Sequence, residues 1–278
     1  MTKGIGIRTY KALVERFGSS EAILDAPRAT LETVPGIGPK LANAIVEESR
    51  TIDIAAEIHL AKEKGVQILP YTSEQYPKHL KAIYDPPLVL YVKGNILEAD
   101  ILALAIVGAR RCTYYGLSQA ERFGRLLAQK GLCIVSGMAR GIDAAAHRGA
   151  IGSRGRTIAV LGCGLGVMYP RENIELAEQI VQHGAIVSEF PMNTPPDFRN
   201  FPPRNRLISG LSLGVLVVES SLKSGSLITA QWALEQGKEV FAIPGNIDNI
   251  YSRGTHKLIK EGAKLVETAQ HVLEELGV

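Results

Sequence analysis

The chain is poor in the residues that bind structural metals or anchor a protein in a membrane. Its 278 residues include three cysteines, Cys112, Cys133 and Cys163, which lack a metal-ligand spacing and are interpreted as small core residues. No apolar run reaches the roughly 18–20 residues that a membrane helix needs, and no apolar signal core follows Met1. These absences predict a protein of the reducing cytoplasm that requires no metal, no cofactor and no membrane.

The charge that is present is unevenly distributed. The formal net charge is only +3, and the hydrophobic content of 46% predicts a sizeable core. Between Leu104 and Gly210, however, thirteen basic residues stand against seven acidic ones, whereas Met1 to Ala61 carries seven against eight. The basic excess coincides with glycine-rich turns, which favours an anionic ligand over a merely solvated face.

Residues 1–60 have a helical pattern with an internal repeat, and we predict a small helical domain there, followed by a larger domain over residues 61–278. Gly4-Ile5-Gly6 matches Gly36-Ile37-Gly38 at an offset of 32 residues, and each copy precedes an apolar helical pattern. The second copy is typical of a helix-hairpin-helix turn, whose free amides suit a phosphate. Because this segment is slightly acidic, a packing hairpin or a protein-docking module is an equally open interpretation.

From Leu102 onward, short apolar runs alternate with helical patterns. The apolar runs are Leu102–Val107, Leu132–Val135, Thr157–Leu161, Ala185–Val187, Leu213–Val218 and Glu239–Ile243, separated by helical patterns at Ser118–Gln129, Asp143–Gly152, Asn173–His183 and Ser226–Gln236. This alternation predicts a parallel sheet with helices on both faces. Two earlier runs, Val66–Leu69 and Leu88–Val92, are interpreted as edge strands or an extension of that sheet. Ligands of such sheets bind at the carboxyl ends of the strands.

Five successive strand ends carry glycine, serine or arginine. The segments are Gly108–Arg111, Ser136–Asp143, Gly162–Arg171, Ser188–Pro191 and Glu219–Ser226. Glycine permits close backbone approach, a helix start offers unpaired amides, and arginine donors match phosphate geometry. Ser224 is expected to cap a helix, and Lys223 beside it favours a phosphate contact at the same turn. The recurrence at five ends favours a phosphate-bearing ligand over packing alone.

The run Phe201–Gly210 joins an aromatic ring, two prolines and two arginines just ahead of an apolar strand. We interpret Phe201, Arg204 and Arg206 as exposed at a strand end, because cations are poor core material. An exposed ring with two cations suits a ligand that has both phosphates and flat bases, which is a nucleic acid. The hypothesis that follows is a binding groove in which arginines contact phosphates, Phe201 stacks on a base, and no catalysis occurs.

Seven motifs, taken together, resemble the DNA-processing protein A family, also called DprA or Smf. They are Gly108–Arg110, Ser136–Asp143 with Ala146-His147, Gly162–Gly164 with Tyr169-Pro170, Ser188–Pro191, Phe201–Ser212, Ser224–Ala230 and Ala242–Gly245. The resemblance covers residues 64–278 strongly and residues 1–60 loosely. It implies an α/β fold with an extended Rossmann-like, doubly wound, mostly parallel sheet, preceded by a small all-α helix-hairpin-helix or SAM-like domain.

The resemblance also implies a homodimer that binds single-stranded DNA without sequence preference. Such proteins protect incoming DNA during natural transformation and help load the RecA recombinase. The residues expected to bind DNA here are Arg110, Gly137, Arg140, Arg171, Phe201, Arg204, Asn205, Arg206, Lys223, Ser224 and Gly225, and the stretch from His256 to Leu265 matches the dimer contact. Two departures are a shortened first helix and, as we expect, no winged-helix domain after Val278.

Three other functions are weighed against DNA binding. A phosphoribohydrolase-like enzyme of related fold would need a glutamate where this chain has Trp232. A dinucleotide-binding oxidoreductase would need a Gly-x-Gly-x-x-Gly turn, whereas the spacing at Gly162-x-Gly-x-Gly166 differs. His147 has no accompanying nucleophile and is interpreted as a packing histidine. A pure interaction protein that acts through RecA remains an open alternative, because no motif locates its surface.

Overall fold

The structure, a computed structural model, describes residues 4–278, so the first three residues of the predicted small domain lie outside it. The chain begins with the helices α1 (Ile7–Phe17), α2 (Ser20–Leu24), α3 (Arg28–Leu31), α4 (Pro39–Thr51) and α5 (Ile54–Glu63). The first four surround a small core of their own that includes Leu13, Leu31 and Ile45. The predicted boundary at residue 60 falls inside α5, and the division into two domains stays a prediction.

The rest of the chain is built on a nine-stranded sheet. Its strands are β1 (Val66–Pro70), β2 (Val89–Gly94), β3 (Ala103–Val107), β4 (Cys133–Ser136), β5 (Thr157–Val160), β6 (Gly184–Ser188), β7 (Gly214–Val217), β8 (Glu239–Ala242) and β9 (Lys264–Leu265), in the spatial order β1-β2-β6-β5-β4-β3-β7-β8-β9. Strands β3 to β9 run parallel to one another, and β1 and β2 extend the sheet in antiparallel fashion beyond β6.

Helices cover both faces of this sheet. They are α6 (Lys78–Lys81), α7 (Tyr114–Gln129), α8 (Ile142–Gly152), α9 (Ile174–His183), α10 (Phe201–Gly210), α11 (Gly225–Glu235), α12 (Arg253–Lys260) and α13 (Ala269–Leu276). Alternate residues of each central strand enter opposite cores: on β3, Ala105 packs on the face that carries α10 and α11, and Leu104 on the face that carries α7 and α8. The central strands are buried on both sides, as parallel strands are.

The mostly parallel α/β fold and the six strands expected after residue 102 are confirmed, with ends displaced by one residue at most. The two earlier strands are also present, and β2 lies between β1 and β6 rather than at the edge. The four helices expected between the strands are α7, α8, α9 and α11. Topology therefore places the five predicted loops at one edge, since the carboxyl ends of parallel neighbours coincide.

The prediction that the run Phe201–Gly210 is an exposed strand-end segment is wrong. It forms α10, with Pro202 and Pro203 in the first turn, where a helix needs no amide donors and the fixed proline φ is already helical. Arg204 and Arg206 are buried, at 5% and 7% exposure. Two arginines that sequence reasoning placed in solvent thus lie inside the molecule, each with protein partners.

Candidate nucleic-acid interface

The loops that follow β3, β4, β5, β6 and β7 meet at the carboxyl edge of the sheet and enclose two adjoining cavities. The inner cavity has a volume of about 170 Å³ and the outer cavity about 480 Å³. The inner cavity alone is lined by Gly137, Arg140, Gly162 and Tyr169. The outer cavity alone is lined by Asp143, Phe198, Asn205, Ser224, Gly225 and Tyr251. Both cavities are lined by Arg110, Arg111, Ala139, Phe201 and Arg204. The shared walls make one continuous concave surface.

Eight of the eleven residues expected to bind DNA line this surface. They are Arg110, Gly137, Arg140, Phe201, Arg204, Asn205, Ser224 and Gly225. Arg171, Arg206 and Lys223 line neither cavity. Arg171 and Lys223 are exposed beside it, Arg171 in the turn before α9 and Lys223 in the turn before α11, whereas Arg206 points elsewhere. Contact of these eleven residues with DNA stays a prediction.

Arg204 forms the charged floor between the two cavities. Its Nη1 donates to the carbonyl oxygen of Gly137 at 3.1 Å and also to that of Val160, and its Nε donates to Asn205 Oδ1 at 3.3 Å. Burial lowers the pKa of Arg204 to about 10, against the opposing charge of Asp143. The guanidinium therefore remains protonated at neutral pH and is held at a fixed position under both cavities.

Asp143, in the first turn of α8 as predicted, is the counter-charge to Arg204. Its Oδ2 accepts from the backbone amides of Gly137 at 3.2 Å and Ala139 at 3.3 Å. Burial raises the pKa of this carboxyl, while Arg204 and the two amides act in the opposite direction. A Cβ on Gly137 would lie 2.8 Å from both Arg204 Nη2 and Asp143 Oδ2, so only glycine leaves room for these two side chains beneath the loop.

The loop after β4 is also locked against the loop after β3. Gly141 has a φ of +75°, and a Cβ there would lie 2.6 Å from the carbonyl oxygen of Ala109 and 2.7 Å from that of Arg110. An L side chain is strained at that φ and has no room. Glycine at this position therefore lets the backbone that carries Arg110 approach the start of α8.

Arg206 belongs to a different environment from Arg204. Its Nη1 and Nη2 donate to Glu189 Oε1 and Oε2 at 2.6 and 2.7 Å, and its Nε donates to the carbonyl oxygen of Asp85 at 2.9 Å. This bidentate, buried ion pair ties α10 to the loop after β6. Arg206 is therefore placed to hold the helix in position, and it lines neither cavity.

The accessible cations at the surface are Arg110, Arg111 and Arg140. Within residues 4–278, Arg110 and Arg111 have no ion pair, and the Cζ of Arg110 lies 5.0 Å from the centre of the Phe201 ring. Arg140 contacts Glu172 through its Nε, with both side chains largely solvated. Two unpaired guanidinium groups and one exchangeable pair can therefore receive phosphates without disrupting the core.

The start of α11 supplies hydroxyl groups. Ser224 caps the helix, as predicted, by accepting from the amide of Ser226 at 3.4 Å. The hydroxyls of Ser224, Ser226 and Ser220 form a chain with separations of 2.8 and 3.0 Å. Asn205 donates to the carbonyl oxygen of Gly225 at 3.1 Å, so α10 and α11 meet at this point. Asn205 is 8% exposed, which gives it a positioning role in the wall.

Sequence reasoning assigned no site role to Arg111, Tyr169, Phe198 or Tyr251. Arg111 had a signal, since it follows Arg110 directly, and Tyr169 lay within a quoted motif. Phe198 and Tyr251 had none, because their positions depend on loop conformations. His147 is buried, as expected for a packing residue: its Nδ1 lies 2.7 Å from Thr157 Oγ1, and burial lowers its pKa to about 3.

The two residues expected at a dimer contact differ in how free their side chains are to contact a partner. Leu265 is 42% exposed on β9, the strand at the end of the sheet. His256 lies on α12, and its Nε2 is 3.0 Å from the carbonyl oxygen of Gly245, so its ring fixes the loop after β8. Self-association through these residues stays a prediction.

Neither a metal cluster nor a membrane-crossing helix occurs in the part of the chain that the structure describes. Residues 4–278 contain no group of three or more histidine, cysteine or acidic side chains that could hold a metal ion. No helix among the same residues is long and apolar enough to cross a membrane.

Comparison with known proteins places this chain in a family. The profile of the DNA recombination-mediator protein A family matches residues 67–277, and that of the SAM-like helix-hairpin-helix tandem matches residues 2–51. The chain belongs to the DNA recombination-mediator protein A family, known as DprA or Smf. It is 47% identical to DNA processing protein DprA of Bacillus subtilis, over 77% of this chain and 73% of that one. It is also 51% identical to Protein Smf of Escherichia coli over 75% of this chain, and the matched region covers 56% of that longer protein.

Solved structures of DprA proteins share the fold. The protein from Streptococcus pneumoniae superposes with a TM-score of 0.81 at 38% identity, over 99% of this chain and 94% of that one. The protein from Helicobacter pylori superposes with a TM-score of 0.68 at 34% identity, over 76% of this chain and 95% of that one. The H. pylori structure concerns a single-stranded DNA binding mode of that protein. The expected family and fold are thus confirmed.

Proposed function

We propose that the two cavities at the carboxyl edge bind single-stranded DNA without sequence preference. The observation that carries this proposal is the convergence of Arg110, Arg111 and Arg140 around a surface that also exposes aromatic rings. A basic groove that tracks the backbone, combined with rings for bases, is the usual arrangement of sequence-tolerant single-strand binders. The single-stranded DNA binding of the H. pylori relative supports the same conclusion.

The eleven expected residues divide by role in this proposal. Arg110 and Arg140 contact phosphates directly, and the amide of Gly225 offers a further donor, whereas the amides of Gly137 and Ala139 are already bonded to Asp143. Lys223 and Arg171 extend the positive track at the rim. The remaining residues, Phe201, Arg204, Asn205, Arg206 and Ser224, form or position the walls, with Arg204 adding a buried positive charge beneath the bound strand.

The physiological role that we propose follows the family. The protein protects incoming single strands during natural transformation and helps load the RecA recombinase onto them, in the cytoplasm. Membership of the recombination-mediator family supports this role. If it is correct, adding the protein to single-stranded DNA that is coated with single-strand-binding protein speeds the onset of RecA ATPase activity. An unchanged lag would contradict it.

Binding in this proposal involves no chemical step. The carboxylate at the cavities, Asp143, is 7% exposed and accepts two backbone amides, so it is poorly placed to stabilise an oxocarbenium-like sugar. A phosphoribohydrolase-like enzyme would release free base from nucleoside monophosphates. Chromatography after incubation with the four ribonucleotides tests this alternative, and base above the level of a heat-inactivated sample would overturn the assignment.

We also propose a homodimer that joins through the β9 edge. The exposed Leu265 and the adjacent α12 support this arrangement. Changing Leu265 to aspartate places a charge on that edge, and sedimentation velocity is expected to show a shift from dimer to monomer. A wild-type protein that sediments as a monomer at micromolar concentration would contradict the dimer.

The experiment that tests DNA binding removes accessible charge. Arg110 and Arg140 are changed together to glutamine, and the affinity for a deoxythymidine oligonucleotide is measured as a function of salt. Because each lost phosphate contact lowers the slope of log K against log salt by about 0.7 on single strands, the double variant should lose about 1.4. Arg154, an exposed residue at the opposite edge of the sheet, is changed to glutamine as the control. Equal slopes in wild type and double variant would refute the proposed groove.

A further inference from the structure

Two phenylalanines, three residues apart, line the outer cavity but differ in solvent exposure. Phe198 is 80% exposed in the loop between β6 and α10, whereas Phe201 is half-buried at the start of α10. A phenyl ring left in water loses the favourable burial that most such rings obtain. The guanidinium carbon of Arg199 lies 5.9 Å from the centre of the Phe198 ring, but a ring that is still 80% exposed on a cavity wall keeps a face available to a ligand.

The ring of Phe201 is already in contact with protein groups. Tyr169 stacks on it with a centroid separation of 5.9 Å and an interplanar angle of 26°. The guanidinium carbons of Arg110 and Arg204 lie 5.0 and 5.9 Å from its centre. The ring also packs against Gly162, where an added Cβ would lie 2.7 Å from Phe201 Cδ1. A base could reach this ring only by displacing one of these groups.

The loop that carries Phe198 is held in a defined turn. Arg199 donates from its backbone amide to Asp197 Oδ1 at 2.8 Å, and its guanidinium binds both carboxylate oxygens of Asp197. The amide of Asn200 donates to the carbonyl oxygen of Asp197 at 3.0 Å. These bonds brace the backbone on both sides of Phe198, so that a base stacking there would not have to order the loop.

We propose that Phe198 is the outer stacking platform for a base of the bound strand, and that Phe201 instead positions Arg110. This inference rests on the proposed DNA binding and changes the roles expected of the two rings, because sequence reasoning assigned the base stacking to Phe201. The phosphates lie against Arg110 and Arg140, and a neighbouring base covers the open face of Phe198. The expected ligand class is therefore any single strand that carries bases, of DNA or RNA.

The test compares oligonucleotides with and without bases. Phe198→Ala should weaken binding of an oligonucleotide of thymidines by roughly 5- to 150-fold, the range for one stacked base, with an unchanged salt slope. The same variant should bind an abasic oligonucleotide of equal length as tightly as wild type does. Phe201→Leu should weaken both ligands, because Arg110 loses its contact. Tyr84→Ala, which removes a 71% exposed ring outside both cavities, is the matched control.

A second variant reports stacking directly. Phe198→Trp places an indole at this site, and its fluorescence should be quenched when thymidine oligonucleotide is added, but not when the abasic one is added. Wild type, which contains only Trp232, gives the background. If wild type binds neither oligonucleotide, the proposed function itself fails. If wild type binds while Phe198→Ala binds equally well and the tryptophan is not quenched, only the assignment of Phe198 is overturned.

Discussion

The buried walls and the exposed rim of the site carry the same types of residue in opposite physical states. In the walls, Arg204 is buried, bonded to backbone carbonyls and balanced by Asp143. At the rim, Arg140 is solvated and contacts an exposed carboxylate, and Phe198 stands in water. The comparison shows that charge in this site has two uses. Buried charge shapes the walls and sets the electrostatic potential of the cavities, whereas exposed charge can exchange a protein partner for a phosphate.

The largest expected effect is a difference in stability between variants that lose a buried arginine and variants that lose an exposed one. Arg204→Met leaves Asp143 buried without its counter-charge, which should lower the free energy of unfolding by about 3–5 kcal/mol. Arg140→Met breaks only a solvated pair and should cost less than about 1 kcal/mol. Urea denaturation followed by circular dichroism measures both.

A second substitution sharpens that result. Adding Asp143→Asn to Arg204→Met removes the orphaned charge and should restore part of the lost stability, because an amide can still accept from the backbone of Gly137. If Arg204→Met and Arg140→Met cost the same, the distinction between wall and rim is wrong. If the double variant is no more stable than Arg204→Met, the orphaned carboxylate is not the cause.

What the sequence could predict follows from what it encodes locally. Apolar runs such as Ala103–Val107 mark strands, and parallel strands bring their carboxyl ends together, so the converging loops were predictable. The burial of Arg204 and Arg206 was not. Residues two apart on a helix point about 200° apart, so these arginines face different surroundings once α10 forms. Which surroundings these are depends on Asp143 and Glu189, which are distant in sequence and approach only in the folded chain.

The next effect concerns pH and α8, the buried helix that carries Asp143 in its first turn. His147 on α8 has its folded-state pKa lowered by burial to about 3, below its value in the unfolded chain. Above a pH of about 6.5 both states hold it neutral. As the pH falls from there towards 3, only the unfolded state gains the proton, so stability is lost across that window.

The measurement is the difference between wild type and His147→Gln in urea denaturation. Relative to the variant, wild type should lose about 1.4 kcal/mol per pH unit below 6.5, or about 2–3 kcal/mol at pH 4.5. Because the carboxylates are common to both proteins, their titration cancels in the difference. A difference that stays constant between pH 7 and 4.5 would show that the histidine is protonated inside the fold.

The smallest expected effect lies at the rim, where Glu172 competes with the ligand for Arg140. Glu172→Gln releases that guanidinium, so a phosphate no longer has to displace a carboxylate. Since exposed ion pairs contribute about 0.2–1 kcal/mol, the affinity for a thymidine oligonucleotide should rise by roughly 1.5- to 5-fold at low salt. Glu175→Gln, one turn further on at an exposed position of α9, removes the same charge from a residue that has no ion pair within residues 4–278, and so controls for general electrostatics. If both variants gain equally, Arg140 is not held back by Glu172, and the rim cation is as free as Arg110.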